Sequence, residues 1–508
     1  MLKKWLPGLI GLSALALLGR LLGFVREALM ASKFGANEIT DAYLTTLLLF
    51  DIAIAANASI LSGTLSYSAN LNKLKDISAS LSKIGLKTFV VLFICSAIFY
   101  PIAGKLIPLI FTRSHATTEI IIEAARLFLI LASFLVASGV FSALLQMKGN
   151  ITNPGRMIIF LNVSSIVFLI LFTKYFGIVA LPLGLLFGGV LFFVYQIYLI
   201  KRIQPLELLE PETSKFNMIG WGAVVLMVFG NSLLPSVSGL VERYFAYSFI
   251  QGTFSHYQYA VKVMLLPLTI FSFAISTSLL PIQARSIREG NKNEFMNITN
   301  NGILFSVVTS SFFVLLFSTL SHPIIQLIYQ RGHFTLHDSA ETSHALHIMS
   351  IGLIPFLLNP VISNIFYSLN SVKNLIVINT IFIAIQTAIL FSFSKLFSGI
   401  EALTITWVII VWINNGALIY YLVRVKNLRF SSTIILKLAL LILITSVLIL
   451  VGKDGTNWWF AEMNTDGGSW IRLVKLTCAG FILLIIFSVT VYFIFRDKLS
   501  GIFNHLKK

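Results

Sequence analysis

Three charged residues stand inside an otherwise apolar stretch near the start of the chain. Residues 18–29 read LGRLLGFVREAL, which places Arg20, Arg26 and Glu27 among leucine, glycine and phenylalanine. An arginine at the centre of a bilayer costs at least about 2.5–3.5 kcal/mol on insertion scales, so it is kept where it faces protein, water or a ligand. Arg20 and Glu27 are seven residues apart and share one face of a helix, whereas Arg26 points elsewhere. A guanidinium at this depth is suited to pairing with a carboxylate or to binding phosphate.

Further charged residues occur in later apolar segments. Asp41 and Asp51 lie in the second segment, and Lys262 lies in the eighth, within YAVKVMLLP. One interpretation is a set of structural ion pairs, for example Arg26 with Asp41, that hold a helix bundle together. The other is a cationic cavity for an anionic substrate, because cations outnumber anions at the deep positions. In that case the substrate-binding residues are Arg20, Arg26 and Lys262, and the charge-balancing or gating residues are Glu27, Asp41, Asp51, Glu242 and Arg243.

The composition of the chain indicates a membrane protein that crosses the bilayer many times. Of its 508 residues, 57% are hydrophobic and only 11% are charged, whereas soluble domains carry about 25% charged residues. The apolar runs are about 20 residues long, which is the length of a membrane-spanning helix. We predict about fourteen spans. They cover residues 6–31, 40–68, 84–110, 119–147, 155–174, 177–200, 217–241, 255–283, 301–321, 341–369, 374–394, 399–423, 434–452 and 471–495.

The net charge of +17 is explained by orientation in the membrane and does not indicate a nucleic-acid partner. When both termini are placed in the cytoplasm, most lysines and arginines outside the spans fall on the cytoplasmic side, as the positive-inside rule requires. The sequence therefore predicts a multi-pass membrane protein with both termini in the cytoplasm. No cleavage site follows the apolar N-terminal run, so it is predicted to be a retained first span.

A weak internal repeat predicts two related lobes. KLIPLIFTRSH at 105–115 is similar to PIIQLIYQRGH at 323–333, and an offset of 217 pairs Arg26 with Arg243 and Gly35 with Gly252. Six spans separate the copies, so the lobes are predicted to have the same orientation and to hold the substrate between them. The fold class is thus an all-α polytopic bundle. Its predicted parts are an N-lobe at 1–210, a C-lobe at 211–430 and a C-terminal helix pair at 431–508.

Neither an enzyme nor a metal site is predicted. The largest hydrophilic connections, about 201–216, 284–300 and 453–470, are too short for a soluble domain and lack a cluster of catalytic acids. The two cysteines, Cys95 and Cys478, lack metal-ligand spacing. No cofactor is predicted; Na⁺, H⁺ or the membrane potential could drive transport, and the spacing of the acids selects none of them.

Three longer motifs resemble one family. GRLLGFVREALMASKFGANEITDAY (19–43) is similar to the opening signature of the MviN/MurJ family, the lipid II flippases of the multidrug/oligosaccharidyl-lipid/polysaccharide exporter superfamily. YQRGHFTLHDSAETSHALHIMSIGLIPF (329–356) resembles its second signature, and YAVKVMLLPLTIFSFAISTSLLP (259–281) its eighth span. The resemblance implies a transporter that moves undecaprenyl-diphosphate-linked sugar to the outer leaflet by alternating access. It also implies cationic cavity residues at Arg20, Arg26 and Lys262, with membrane lipids and cell-envelope biosynthesis proteins as further partners.

The chain departs from that family pattern in its second span. Members typically carry an Arg-Arg pair followed by Glu-Gly there, whereas residues 53–63 read AIAANASILSG. Lys262 also stands where the family usually has arginine. Two alternatives to a lipid II flippase therefore stay open. One is an exporter of another lipid-linked oligosaccharide, such as an O-antigen or exopolysaccharide repeat unit, and the other is a cation-coupled antiporter for small molecules.

Overall fold

A computed structural model describes residues 2–69, 74–110, 114–203, 218–428, 430–461 and 469–506. Every regular element in these ranges is helical, which confirms the predicted fold class. The helices are α1 (Leu2–Phe34), α2 (Glu38–Ala69), α3 (Leu74–Ile110), α4 (His115–Met147), α5 (Asn153–Leu171), α6 (Thr173–Phe176), α7 (Ala180–Ile203), α8 (Met218–Ala246), α9 (Thr253–Arg288), α10 (Lys292–Tyr329), α11 (Leu336–Ser350), α12 (Leu353–Ser368), α13 (Val372–Phe393), α14 (Gly399–Arg424), α15 (Ser432–Ala461) and α16 (Ser469–Leu506).

The helices are long and apolar enough to make this a multi-pass membrane protein. Among the described residues, 10 helical segments meet the length and hydropathy of a membrane span. The number rises to 11 if α11 and α12, which bend by 49° at their junction, form one broken span. The other three predicted spans coincide with α1, α8 and α9, and the total of fourteen stays a prediction.

Residues 284–300, predicted as a hydrophilic connection, are instead mostly helical. Helix α9 continues to Arg288, and α10 already begins at Lys292. The Asn291 side chain caps α10 by accepting a hydrogen bond from the backbone N–H of Glu294 at 3.0 Å. Polar residues end the apolar span without ending the helix, because a helix stops at a cap or a breaker. Most of the predicted connection 201–216, and residues 462–468 of the third, lie outside the described residues.

The chain forms two compact units, Met1–Ser255 and His256–Lys508. In the first unit α4 is central and packs against α2, α3 and α7, while α1 packs on α5 and α8 packs on α2. In the second unit α10 is central and packs against α11, α12, α15 and α16. The predicted lobe boundaries at residues 210 and 430 stay a prediction.

Small residues let helices of the first unit approach at backbone distance. A Cβ atom at Gly188 of α7 would lie 2.6 Å from the carbonyl oxygen of Phe160 and 2.9 Å from the Cα of Leu161, both in α5. One turn earlier, a Cβ at Gly184 would lie 2.6 Å from the Cα of Ser165. Close contacts of this kind are a main source of helix association in lipid. Lipid tails are as apolar as the helix surfaces, so the hydrophobic effect does not drive the helices together.

A buried amide network joins the same helices near the start of α5. Gln196 of α7 donates from Nε2 to Ser142 Oγ of α4 and to Asn153 Oδ1 of α5, each at 2.8 Å. Ser142 also donates to Asn153 Oδ1 at 3.0 Å. Interhelical hydrogen bonds of this type contribute roughly 0.6–2 kcal/mol each in membrane proteins. They fix α4, α5 and α7 as one block, against which α1 is held through α5.

Gly188→Ala is expected to destabilise this block. The added methyl group would overlap the α5 backbone, and overpacking of a filled interior costs about 1–3 kcal/mol. The measurement is the midpoint of thermal unfolding of the purified protein in detergent, which is expected to fall. Gly416→Ala is the matched control, because Gly416 is a helical glycine with no atom near its Cβ position. Equal midpoints for the two variants would contradict the packing described for α5 and α7.

Candidate functional site

Helix α1 carries three of the predicted site residues and is held by α5. A Cβ atom at Gly19 would lie 2.7 Å from the Cγ2 of Ile158, and Asn162 donates from Nδ2 to the Gly19 carbonyl oxygen at 2.9 Å. A Cβ at Gly23 would contact the Asn162 amide at 3.4 Å. The two glycines on either side of Arg20 therefore serve helix packing. This contact fixes the height and rotation of α1, and with it the position of Arg20.

Arg26 and Glu27 form a buried ion pair. The Nη2 of Arg26 lies 2.8 Å from the Oε1 of Glu27, with only 9% and 3% of the two side chains exposed. The alternative pairing of Arg26 with Asp41 is therefore wrong. The other carboxylate oxygen of Glu27, Oε2, is buried and has no hydrogen-bond partner among the described residues. Burying an ion pair is tolerated when the partners compensate each other, and removing one partner leaves an uncompensated buried charge.

Two groups of α2 complete the surroundings of this pair. Tyr43 and Asp51 both interact electrostatically with the Arg26 guanidinium. Tyr43 is 1% exposed, and its hydroxyl group has no hydrogen-bond partner within the described ranges. The side chain of Asp51 is about half exposed, whereas that of Glu27 is almost fully buried.

Arg243 links α8 to α2. Its Nη2 lies 3.2 Å from the Oδ2 of Asp51, and its Nη1 donates to the Gly239 carbonyl oxygen at 3.1 Å. Its Nε donates to the Leu44 carbonyl oxygen at 3.4 Å. Two residues from the predicted charge-balancing set are thus paired with each other. Glu242, the residue before Arg243, is partly buried.

Asp41 caps the N-terminus of α9. Its Oδ2 accepts the backbone N–H of Gly252 at 2.8 Å, and its Oδ1 accepts the N–H of Ser255 at 2.8 Å and the Ser255 hydroxyl at 2.5 Å. The first N–H groups of a helix lack intrahelical partners, and a carboxylate there also meets the positive end of the helix dipole. The carboxylate of Asp41, buried in α2, therefore fixes where α9 begins.

Arg20 and Lys262 differ from Arg26 and Arg243, the other cations of the predicted site, because neither is paired with a carboxylate in the described ranges. Among the described residues, neither side chain has a hydrogen bond, an ion pair or another electrostatic partner. Arg20 is partly buried in the first unit. Lys262 is partly buried in the second unit, one turn after Tyr259, whose ring packs against Tyr329 and Phe334. The substrate-binding and gating roles of all eight predicted residues stay predictions.

One buried histidine–aspartate pair was not identified from the sequence. His256 Nε2 lies 2.9 Å from the Oδ1 of Asp338, and Asp338 also closes a capping box with Thr335 at the start of α11. The signal available was the T-x-x-D spacing at 335–338, which is a helix-start pattern. Within the described part of the chain, no three His, Cys, Asp or Glu side chains are grouped as metal ligands.

Comparison with known proteins gives one consistent result. The family model described as "Lipid II flippase MurJ" matches residues 30–465, which include Asp41, Asp51, Arg243 and Lys262 and begin after Glu27. The probable lipid II flippase MurJ of Buchnera aphidicola subsp. Baizongia pistaciae (strain Bp) is 26% identical over 426 residues, covering 80% of this chain and 82% of that protein. That of Rickettsia prowazekii (strain Madrid E) is 25% identical over 462 residues, covering 87% and 88%.

Solved structures of the same fold agree with this match. The structure titled "Lipid II flippase MurJ, inward closed conformation" aligns with a TM-score of 0.76 and 19% identity, covering 96% of this chain and 100% of that one. An inward-facing multidrug resistance MATE family transporter of the MOP superfamily aligns with a TM-score of 0.68 and 14% identity, covering 80% and 95%. At 19% and 14% identity, these structural matches show that the chain shares the fold of those proteins.

Asp41→Ala is expected to destabilise the first unit more than Asp41→Asn. Alanine leaves the N–H groups of Gly252 and Ser255 buried without an acceptor, and each such loss costs about 1–3 kcal/mol. Asparagine keeps one acceptor oxygen. Thermal unfolding in detergent should therefore rank the wild type first, Asp41→Asn second and Asp41→Ala last. A midpoint for Asp41→Ala equal to that of the wild type would contradict the capping role.

Proposed function

Because the chain belongs to the lipid II flippase MurJ family, we propose that it moves lipid II from the inner to the outer leaflet of the bacterial cytoplasmic membrane. Membership confirms the resemblance inferred from residues 19–43 and 329–356. Lipid II carries a diphosphate and a sugar, which cannot cross about 30 Å of hydrocarbon unaided. The protein shields this head group during alternating access, while the polyprenyl tail stays in lipid. No bond is made or broken, so no catalytic residue is needed.

The observation that carries the proposal is the contrast between neutralised and unneutralised cations. Arg26 and Arg243 each have a carboxylate partner, whereas Arg20 and Lys262 have none among the described residues. A bare cation at membrane depth is costly and therefore marks a functional site. Arg20 offers the planar fork that suits two phosphate oxygens, and Lys262 offers a point charge. These two residues are the first contacts of the diphosphate in this proposal.

The compensated pairs have a different role. Glu27 holds Arg26, and Asp51 holds Arg243, so the first unit stays stable when no substrate is bound. A diphosphate bound at Arg20 can then compete with Glu27 for Arg26, because charge-assisted bonds to phosphate are strong and often bidentate. Asp41 and Glu242 remain gating candidates, and Asp41 would act through the start of α9.

One observation favours a second candidate, an exporter of another lipid-linked oligosaccharide. The second-span segment that lacks the family's usual cations serves helix packing in this chain. Asn57 donates from Nδ2 to the Leu135 carbonyl oxygen of α4 at 2.6 Å, and a Cβ at Gly63 would lie 3.0 Å from Val225 of α8. The two candidates are separated by expressing this chain in a bacterial strain depleted of its own lipid II flippase and measuring growth. Rescue of growth supports lipid II as the substrate. No rescue by a folded protein supports another lipid-linked glycan.

The proposal includes an orientation and a driving force. Both termini are placed in the cytoplasm, on the basis of the positive-inside distribution. The membrane potential, Na⁺ or H⁺ drives the cycle, and no resident cofactor takes part. Enzymes of cell-envelope biosynthesis are the expected neighbours, because one of them must supply the lipid-linked substrate on the inner side and another must consume it outside.

Neutralising the unpaired cations is expected to stop transport without unfolding the protein. Each charge-assisted hydrogen bond contributes about 1.5–3 kcal/mol, which corresponds to roughly a 10–100-fold loss of affinity. Arg20→Gln and Lys262→Gln are each expected to lower flipping of a lipid diphosphate in proteoliposomes by about this factor, and the double variant is expected to abolish it. The control Arg285→Gln removes an exposed arginine outside the predicted spans and should leave the rate unchanged. Full-speed transport by a folded double variant would contradict the proposal.

A further inference from the structure

Glu27 depends on a single partner for its charge. One carboxylate oxygen contacts Arg26 at 2.8 Å, while the other, Oε2, is buried and without a hydrogen-bond partner among the described residues. The two other acids of this region are satisfied differently. Asp41 accepts three hydrogen bonds from the start of α9, and Asp51 is half exposed and paired with Arg243. Glu27 is therefore the carboxylate most affected when Arg26 changes partner.

The surroundings of the pair offer no replacement cation among the described residues. On α2, the groups in electrostatic contact with Arg26 are Tyr43, a neutral phenol, and Asp51, a second anion. On α5, Asn162 contacts α1 at Gly23, one turn before Glu27, and its side chain is neutral. On α8, Arg243 is bound to Asp51 and to two backbone carbonyl groups. On α1 itself, Arg20 lies two turns away and is a ligand for the diphosphate in the proposed function.

A diphosphate that takes Arg26 would leave Glu27 as an uncompensated buried anion beside further negative charge. Desolvation and like-charge repulsion both favour the neutral form of a carboxyl group. A buried charge without a partner costs several kcal/mol, and in practice such a group binds a proton instead. The proton comes from water, and it converts the carboxylate to a carboxylic acid that can donate a hydrogen bond from its own hydroxyl.

We infer that Glu27 is a proton-binding site linked to substrate: it takes up one proton when a diphosphate displaces it from Arg26, and it releases that proton when the diphosphate leaves. This inference rests on the proposed function. It assigns a regulatory role to an ion pair that otherwise has only a structural one. Because proton binding and diphosphate binding are linked, the affinity for the diphosphate rises as the pH falls. The change is about tenfold per pH unit over the pH range in which Glu27 is ionised in the empty protein and protonated in the complex.

The test is calorimetric titration of the purified full-length chain in detergent with farnesyl diphosphate at pH 7.5. Measuring the heat in buffers of different ionisation enthalpy gives the number of protons taken up per ligand bound. Phosphate esters lose their second proton near about pH 6, so the ligand itself is already ionised. We expect the wild type to take up about one proton more than Glu27→Gln, which cannot titrate. Glu27→Gln should also bind with an affinity that changes little with pH.

The control is Glu289→Gln, which removes the glutamate of an exposed Arg–Glu pair at 2.7 Å outside the predicted spans. It should take up the same number of protons as the wild type. If Glu27→Gln does not fold, the wild type alone decides, because an affinity independent of pH between about 7 and 8.5 would overturn the inference. Equal proton numbers for wild type and folded Glu27→Gln would overturn it as well and leave the proposed function intact. Failure of the wild type to bind any lipid diphosphate would instead overturn the proposed function.

Discussion

The first unit depends on the compensation of charge at membrane depth. Arg26 and Glu27 neutralise each other within one helix, and Arg243 and Asp51 do so between α8 and α2. Each pair removes the cost of a bare ion in a medium that cannot solvate it. Among the cations of the predicted site, Arg20 and Lys262 have no carboxylate partner in the described part of the chain, and we propose each of them as a contact for an anionic ligand.

The same constraint applies to the backbone. The first N–H groups and the last carbonyl groups of each helix need partners, and water is scarce inside the membrane. Asp41 supplies acceptors to the start of α9, and Lys33 donates from Nζ to the Leu169 carbonyl oxygen at the end of α5, at 2.7 Å. Charged side chains of α1 and α2 thus satisfy the ends of other helices. Some of the charges in these helices therefore have a structural role, which must be separated from substrate binding.

Hydropathy and local spacing are enough to predict the helices and some of the turns between them. Apolar runs of about 20 residues predict helices, and all predicted spans coincide with helices where the structure describes them. The glycines paired by the internal repeat, Gly35 and Gly252, both adopt positive φ, at 71° and 86°.

The pairing of Arg243 with Asp51 could not be predicted from the sequence, because 192 residues separate them and many other cations could pair with that carboxylate. The role of Asp41 was equally hidden, since its partners are backbone N–H groups that any sequence carries. The extent of α9 and α10 was missed because polar composition marks the end of the lipid, not the end of a helix.

Residue-resolved labelling of arginine tests the central claim most directly. Phenylglyoxal reacts with accessible guanidinium groups, and mass spectrometry of peptides from the full-length protein reports each site separately. We predict that Arg20 is modified in the empty protein and protected by farnesyl diphosphate, while Arg26 and Arg243, which are buried in their ion pairs, stay unmodified. Labelling of Arg20 at the same rate with and without the diphosphate, or labelling of Arg26 and Arg243 as fast as Arg20, would contradict it.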